Sequence, residues 1–170
     1  SSAASDVYKR QSLSGSEPAL EIQDEVGDAL LEQLLAHVQQ SWQQLGEKEP
    51  HYSVLSTEEF KQANLVKHRE QFYQTGRDNV DCFLKTLQRN RCFIEGVADK
   101  TVLEYGCGVG RVTHALAHHF KQVFAYDISA SHLALAQAFT DGLGLNNIHY
   151  KRIVHPLDVM SFPKVDAVVT

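Results

Sequence analysis

Residues 102–110 read Val102-Leu-Glu-Tyr-Gly-Cys-Gly-Val-Gly110, an apolar run that leads into three glycines at alternate positions. The run predicts a buried strand over residues 101–105, and each glycine omits a side chain where the backbone turns sharply or approaches a ligand. Residues 111–120 predict a helix, so free backbone N–H groups of the loop and of the helix start face one crevice. The stretch therefore predicts a ligand site at the carboxyl end of a parallel sheet.

Two acidic residues strengthen this interpretation of the glycine loop, residues 106–110. Glu104 lies two residues before the first glycine, and Asp127 ends the next predicted strand, residues 122–126. The sheet holds the ends of neighbouring strands close together. An acid at the end of the second strand faces a ribose and accepts hydrogen bonds from both its hydroxyls.

The rest of the C-terminal half predicts an α/β domain over residues 100–170. Apolar runs predict further strands over residues 148–154 and 165–169, and residues 129–143 predict a helix. Strands that alternate with helices form parallel sheets, and right-handed crossovers place the helices on both faces.

The N-terminal half predicts helices. Residues 1–16 are polar and rich in serine and alanine, which predicts a flexible tail. Apolar residues at near-helical spacing predict one long helix over residues 17–46, and Pro50 predicts a loop over residues 47–55.

Two shorter helices are predicted after this loop. Ser56 and Glu59 have the spacing of a capping box, which starts a helix that Gly76 is expected to end. Asp78 is then expected to cap a third helix. Two interpretations of the helical region, residues 17–99, stay open: a plain scaffold, or a lid over a ligand.

Composition argues against several classes of function. The net charge is −5 and no basic patch is concentrated, which argues against DNA binding. No apolar run approaches the ~20 residues of a membrane span, and the N-terminus lacks the apolar stretch of a signal peptide. The three cysteines have no CxxC spacing, so we expect reduced thiols in the cytoplasm, no disulfide framework and no metal site.

Two longer stretches carry a family resemblance. VLEYGCGVGRVTHALA (residues 102–117) and VFAYDISASHLALAQ (residues 123–137) resemble motif I and its successor in class I S-adenosylmethionine-dependent methyltransferases. More loosely, residues 51–60 and 71–84 are similar to the helical N-terminal extension of one bacterial subgroup. The resemblance implies a Rossmann-like sheet in the order 3-2-1-4, with S-adenosylmethionine as cofactor and S-adenosylhomocysteine as product.

The resemblance also implies roles for individual residues. Glu104 matches the acid that anchors the amino-acid end of the cofactor, Asp127 the acid that holds the ribose hydroxyls, and Ile128 the apolar residue that packs on adenine. The loop beside the methionine and ribose moieties is matched by Gly106, Cys107, Gly108 and Gly110.

Four further cofactor contacts are expected outside these motifs. Leu157 and Asp158 follow the third strand, where the resembled family offers a residue near the adenine amine, although His155 stands where the acid is expected. Tyr73 and Arg77 are expected to close over the cofactor from the N-terminal helices, since arginine pairs well with a carboxylate.

The predicted sheet differs from a complete domain of the resembled family, which has seven strands. The sequence runs out at Thr170, at the end of the fourth predicted strand. We therefore expect a truncated half-domain that binds the cofactor but has little or no turnover. The catalytic residues are expected beyond Thr170. The edge of the fourth strand, or the N-terminal helix, predicts a homodimer. The acidic charge and the frequency of such acceptors in the family favour a small-molecule acceptor.

Two other functions stay open from the sequence. The chain is alternatively a fragment of a nicotinamide-dependent oxidoreductase, but its G-x-G-x-G spacing differs from the dinucleotide fingerprint G-x-G-x-x-G, and Glu104 also speaks against it. In the third interpretation the chain is a non-catalytic module whose long N-terminal helix pairs with a partner or with itself.

Overall fold

The computed structural model describes residues 26–93 and 95–170. The predicted tail, residues 1–16, and the first part of the predicted helix 17–46 lie outside the described residues. The helices and strands, in chain order, are α1 (Asp28–Lys48), α2 (Pro50–Val54), α3 (Leu65–Arg89), β1 (Thr101–Tyr105), α4 (Thr113–Ala117), β2 (Gln122–Asp127), α5 (Ala130–Gly142), β3 (Ile148–Arg152) and β4 (Ala167–Val169), with short 3-10 helices at Glu58–Phe60 and Pro156–Ser161.

The four strands form a parallel sheet in the order β3-β2-β1-β4, which confirms the predicted fold class and strand order. Strand β1 pairs along its length with β2, with Val102 opposite Val123 and Glu104 opposite Ala125. Val102, Val123 and Ala125 are fully buried, as expected for inner strands covered on both faces. The register brings the ends of β1 and β2, and therefore Glu104 and Asp127, to the same edge.

Helices cover both faces of the sheet. On one face Val80 of α3 and Leu116 of α4 pack with Val102 and Val123 in one apolar cluster. Leu133 of α5 packs in another cluster with Ala125 of β2. Because Val80 belongs to the core of the sheet, α3 is an integral layer of this fold.

The start of the second helix differs from the sequence prediction. Pro50 begins the short helix α2, because a proline at the first helical position lacks only an N–H that would have no partner in the helix. The loop predicted over residues 47–55 is therefore wrong. Ser56 caps no helix: its hydroxyl donates to the Tyr52 carbonyl, and the long helix begins at Leu65.

Gly76 does not end a helix, since α3 runs through it to Arg89. A Cβ atom at Gly76 would lie 1.8 Å from the backbone oxygen of Arg111, so the glycine allows α3 to approach the segment after the glycine loop. The predicted cap at Asp78 is also wrong, because this carboxylate accepts from the Gln74 amide within the same helix.

Replacing Gly76 tests this close approach. Gly76→Ala should lower the free energy of unfolding by about 3 kcal/mol, at the upper end for overpacking, because the added methyl meets backbone. Gly142→Ala in α5 is the matched control, since a Cβ there meets no atom within 4 Å. Urea unfolding of both variants measures the difference. Equal stabilities would contradict the tight packing of α3 on Arg111.

Candidate functional site

The glycine loop has a backbone that only glycine adopts without strain. Gly106, Gly108 and Gly110 have φ angles of 81°, 53° and 79°. The N–H groups of Gly106 and Cys107 both donate to the Tyr126 carbonyl, at 2.7 and 3.1 Å. These bonds tie the end of β1 to the end of β2, so the loop passes directly over the edge where both strands finish.

Asp127 ends β2 with its carboxylate turned towards the glycine loop. One oxygen, Oδ2, accepts from the Gly108 N–H at 2.8 Å, and the other, Oδ1, accepts from the Ser129 N–H at 2.9 Å. The residue is 9% exposed and lines a cavity. A carboxylate has about four acceptor positions, so these two bonds leave acceptor capacity on both oxygens for a ligand.

The first cavity lies at the ends of β1, β2 and β3 and has a volume of about 410 Å³. That volume is in the range of small-molecule sites, and most of its wall is apolar, with Asp127 as the carboxylate. The lining residues are Val38, Trp42, Ser53, Val54, Tyr105, Gly106, Gly108, Asp127, Ile128, His132 and Ile153.

Glu104 lies within β1 and is 5% exposed. The Thr113 hydroxyl donates to its Oε2 at 2.5 Å. Burial raises the pKa of Glu104 to about 8, although the Thr113 hydrogen bond opposes that shift. The carboxyl group is therefore largely protonated at neutral pH, and a cation beside it would favour its ionised form.

A second, smaller cavity of about 120 Å³ adjoins the first. Glu104, Cys107 and Arg111 line it, while Gly106 and Val54 line both cavities. The carboxyl groups of Asp127 and Glu104 thus reach neighbouring cavities on the two sides of the glycine loop.

Arg111 follows the glycine loop directly and was not assigned a role from the sequence. Its Nη1 donates to the Thr75 hydroxyl at 3.1 Å, while its Nε has no hydrogen-bond partner among the described residues. Burial lowers the pKa of this guanidinium. The sequence could have indicated Arg111 by its position immediately after Gly110. A loop that faces a crevice places the next side chain at the rim of that crevice.

Residues 102–170, which hold this site, match the model of a family described as "Methyltransferase domain". This part of the chain matches a methyltransferase domain, and its sheet has the strand order expected of the class I methyltransferase family. S-adenosylmethionine is the cofactor of that family, as the sequence motifs indicate.

A curated methyltransferase is among the proteins similar to this chain. The chain is 33% identical over 108 residues to a tRNA/tmRNA (uracil-C(5))-methyltransferase of Campylobacter lari, covering 59% of this chain and 30% of that protein. The chain therefore spans about a third of the length of this curated relative.

Two solved structures are similar to this chain. Phosphoethanolamine N-methyltransferase 1 of Haemonchus contortus, solved with S-adenosylhomocysteine, superimposes with a TM-score of 0.50 at 17% identity, over 79% of this chain and 24% of that one. The N-terminal domain of EvdMO1, also solved with S-adenosylhomocysteine, gives 0.47 at 21% identity, over 59% and 40%. The first similarity bears on the fold alone.

Two residues of the methyltransferase motifs lie in the cavities beside the carboxylates. Ile128 lines the first cavity, next to Asp127. Cys107 is buried against the second cavity, and burial together with the nearby Glu104 carboxyl raises the pKa of its thiol well above the ordinary value. The thiol therefore stays protonated, which makes Cys107 a wall residue rather than a nucleophile.

The structure does not bring Tyr73 and Arg77 to either cavity of the methyltransferase domain. Tyr73 is buried and stacks on Phe139 at 3.6 Å between ring centroids. Arg77 forms an ion pair with Glu70 on the same helix. The sequence predicted cofactor contacts for Tyr73 and Arg77 from the chemistry of their side chains. In the structure, α3 continues unbroken and turns both side chains away from the site.

Leu157 and Asp158 also lie outside both cavities. Asp158 accepts from the N–H groups of Val154 and His155 and so caps the 3-10 helix, which lowers its pKa. Leu157 is 65% exposed. Ile153, one residue beyond β3, is the residue of this segment that lines the first cavity.

The first cavity has walls that the sequence motifs did not indicate. Val38 and Trp42 reach it from α1, and Ser53 and Val54 reach it from α2. His132 connects the two parts, because its ring nitrogens bond to the hydroxyls of Ser53 and Ser129 at 2.9 and 2.7 Å. The N-terminal helices therefore complete a site that begins on the sheet.

Among residues 26–93 and 95–170 the structure shows no group of three or more His, Cys, Asp or Glu side chains placed to hold a metal ion. In the same part of the chain, no helix combines the length and the apolar character needed to cross a membrane.

The raised pKa of Glu104 predicts a pH-dependent cost to stability. Its pKa in the fold lies above the unfolded value of 4.5, so the cost is absent below pH 4.5, grows as pH rises, and levels off above about 8. Glu104→Gln removes this titration. Its stability advantage over wild type should grow by at most about 1.4 kcal/mol per pH unit across that window.

Urea unfolding of wild type, Glu104→Gln and the exposed control Glu59→Gln at several pH values measures this advantage. Parallel pH profiles for wild type and Glu104→Gln would show that the Glu104 carboxyl titrates normally.

Proposed function

We propose that this chain binds S-adenosylmethionine and belongs to an enzyme that transfers its methyl group to a small-molecule acceptor. The observation that carries this proposal is the Asp127 carboxylate, which lines the first cavity and has acceptor positions left on both oxygens. In this proposal the ribose hydroxyls donate to Asp127 and the adenine packs against Ile128.

The two cavities match the two ends of this cofactor. The first, about 410 Å³ and largely apolar, suits the adenosyl part, while the second, about 120 Å³, contains a carboxyl and a guanidinium that suit an amino acid. Glu104 would hold the ammonium, and the unpartnered Arg111 Nε would donate to the carboxylate. Gly106 lines both cavities, and a Cβ there would meet no atom within 4 Å, so it leaves the connecting atoms room to pass over the backbone.

The sulfonium of the bound cofactor makes its methyl group electrophilic. The residues of the two cavities orient the cofactor and surround it with largely apolar walls. Since the chain spans 30% of its curated relative, the activity of the whole protein is part of the proposal.

Calorimetry with S-adenosylhomocysteine tests the assignment of Asp127. Asp127→Ala should weaken binding at least tenfold, because the ribose hydroxyls lose a charged acceptor. Asp158→Ala is the matched control, since Asp158 also accepts two backbone N–H groups but lies outside both cavities. NAD should not bind to wild type.

Unchanged affinity in Asp127→Ala would make the ribose assignment wrong. Binding of NAD in place of S-adenosylhomocysteine would favour the oxidoreductase alternative, and binding of neither would favour the interaction module.

The small-molecule acceptor is supported by the net charge of −5, which disfavours contact with a phosphate backbone. The curated relative is named for tRNA and tmRNA, so tRNA is the sharpest competing acceptor. We expect no saturable tRNA binding at micromolar protein and physiological salt. Tight binding that falls steeply with salt would overturn the small-molecule proposal. The homodimer and the cytoplasmic location stay predictions.

A further inference from the structure

Helix α1 is fixed to the sheet domain by residues on one of its faces. Gln39 Nε2 donates to the Ile153 carbonyl at 3.0 Å, and Gln43 Oε1 accepts from the Ser131 N–H at 3.2 Å. Gln39 and Gln43 are four residues apart and therefore share a face of the helix. Their partners lie just beyond the end of β3 and in the first turn of α5, so α1 spans the edge of the sheet where the first cavity opens.

The same contact continues one turn further along α1. Gly46 is buried, and a Cβ atom there would lie 2.3 Å from the Ser131 hydroxyl oxygen. The Ser129 hydroxyl also donates to the Trp42 carbonyl at 3.3 Å. The backbone of α1 therefore lies close to the segment that follows Asp127 and Ile128.

Two side chains of α1 that lie beside these attachments line the first cavity. Val38 and Trp42 are four residues apart and reach it together with Ile128 and Ile153. Trp42 keeps 39% of its surface exposed, although hydrogen bonds at Gln39 and Gln43 hold α1 before and after it in the chain. A docked helix that leaves a large aromatic ring beside a cavity has apolar surface available for a ligand.

The chemistry of the ring indicates which part of a ligand it meets. Purine bases stack on aromatic side chains, and indole offers a large surface for this contact. Tyr105 and His132 also bring rings to this cavity. Tyr105 lies at the end of β1, near Phe162, and the His132 ring meets the Trp42 ring edge-on at 6.1 Å between centroids. Trp42 instead lies beside the segment Ile128–Ser129, where the proposed function puts the adenine.

We propose that Trp42 stacks on the adenine of bound S-adenosylmethionine, so that α1 supplies one wall of the base site and Ile128 another. This inference rests on the proposed function. It assigns a binding role to a residue 59 positions before the start of β1, on a helix outside the matched residues 102–170.

Trp42 is the only tryptophan of the chain, so tryptophan emission reports on the surroundings of this one ring. Adding S-adenosylhomocysteine to the wild-type chain should change the emission, with the same dissociation constant that calorimetry gives. An emission unchanged at saturation would overturn the inference.

Three variants separate stacking from a structural role. Trp42→Ala should weaken binding of S-adenosylhomocysteine about tenfold, a factor that lies within the range of base–aromatic stacking. Trp42→Phe, which keeps an aromatic face, should bind within about threefold of wild type. Leu34→Ala, an exposed residue of the same helix that does not line the cavity, should bind as wild type does.

The outcomes distinguish this inference from the proposed function. If wild type binds S-adenosylhomocysteine in an Asp127-dependent way and Trp42→Ala binds equally well, only the role of Trp42 is wrong. If Trp42→Phe loses as much affinity as Trp42→Ala, an aromatic face is not what the site requires, and stacking is again wrong. If wild type does not bind S-adenosylhomocysteine, the proposed function itself fails.

Discussion

The Asp127 carboxylate holds together the three segments that form the site. It ends β2, accepts from the main chain of the glycine loop at Gly108, and accepts from the main chain at Ser129, where α5 begins. Each bond uses a backbone N–H, so the interaction fixes the path of the chain rather than the rotamer of a neighbour. The N–H at Gly108 comes from a residue with a positive φ angle, a conformation that favours glycine. A ligand that donates to the remaining acceptor positions would meet a carboxylate that the fold has already oriented.

Glu104 has the opposite relation to the fold. It is buried with one described hydrogen-bond partner, Thr113, and its raised pKa shows that the fold disfavours its charge. A carboxyl group in an inner strand would be replaced by an apolar residue if stability alone decided the sequence, as at Val102 and Leu103 in the same strand. The second cavity beside it explains its retention, since a ligand cation there would restore the ionised form. A residue that lowers the stability of the fold is retained where a ligand site requires its side chain.

The sequence predicted the sheet and its ligand-facing edge because both depend on local patterns, alternating elements and a glycine loop between two strand ends. It predicted the N-terminal half poorly because the roles of those residues depend on contacts with residues far away in the sequence. Gly76 has the composition of a helix end, but its lack of a side chain serves the approach of α3 to Arg111. The chemistry of the Tyr73 side chain predicted a cofactor contact, yet its ring packs against Phe139 of α5. Trp42 carries no motif, and only the packing of α1 across the ends of the strands brings it to the cavity.

The two long helices of the helical region, α1 and α3, contact different parts of the sheet domain. Helix α3 contributes Phe72 and Val80, both almost fully buried, and Val80 belongs to the cluster that also holds the central strands. Removing α3 would expose the core of the sheet, so it is a scaffold. Helix α1 shares no member of that cluster, and hydrogen bonds from Gln39 and Gln43 hold it across the cavity. Helix α1 also accepts at the Trp42 and Gln43 carbonyls from the Ser129 and Ser131 hydroxyls. It is therefore a docked wall of the first cavity, whereas α3 is a layer of the sheet core.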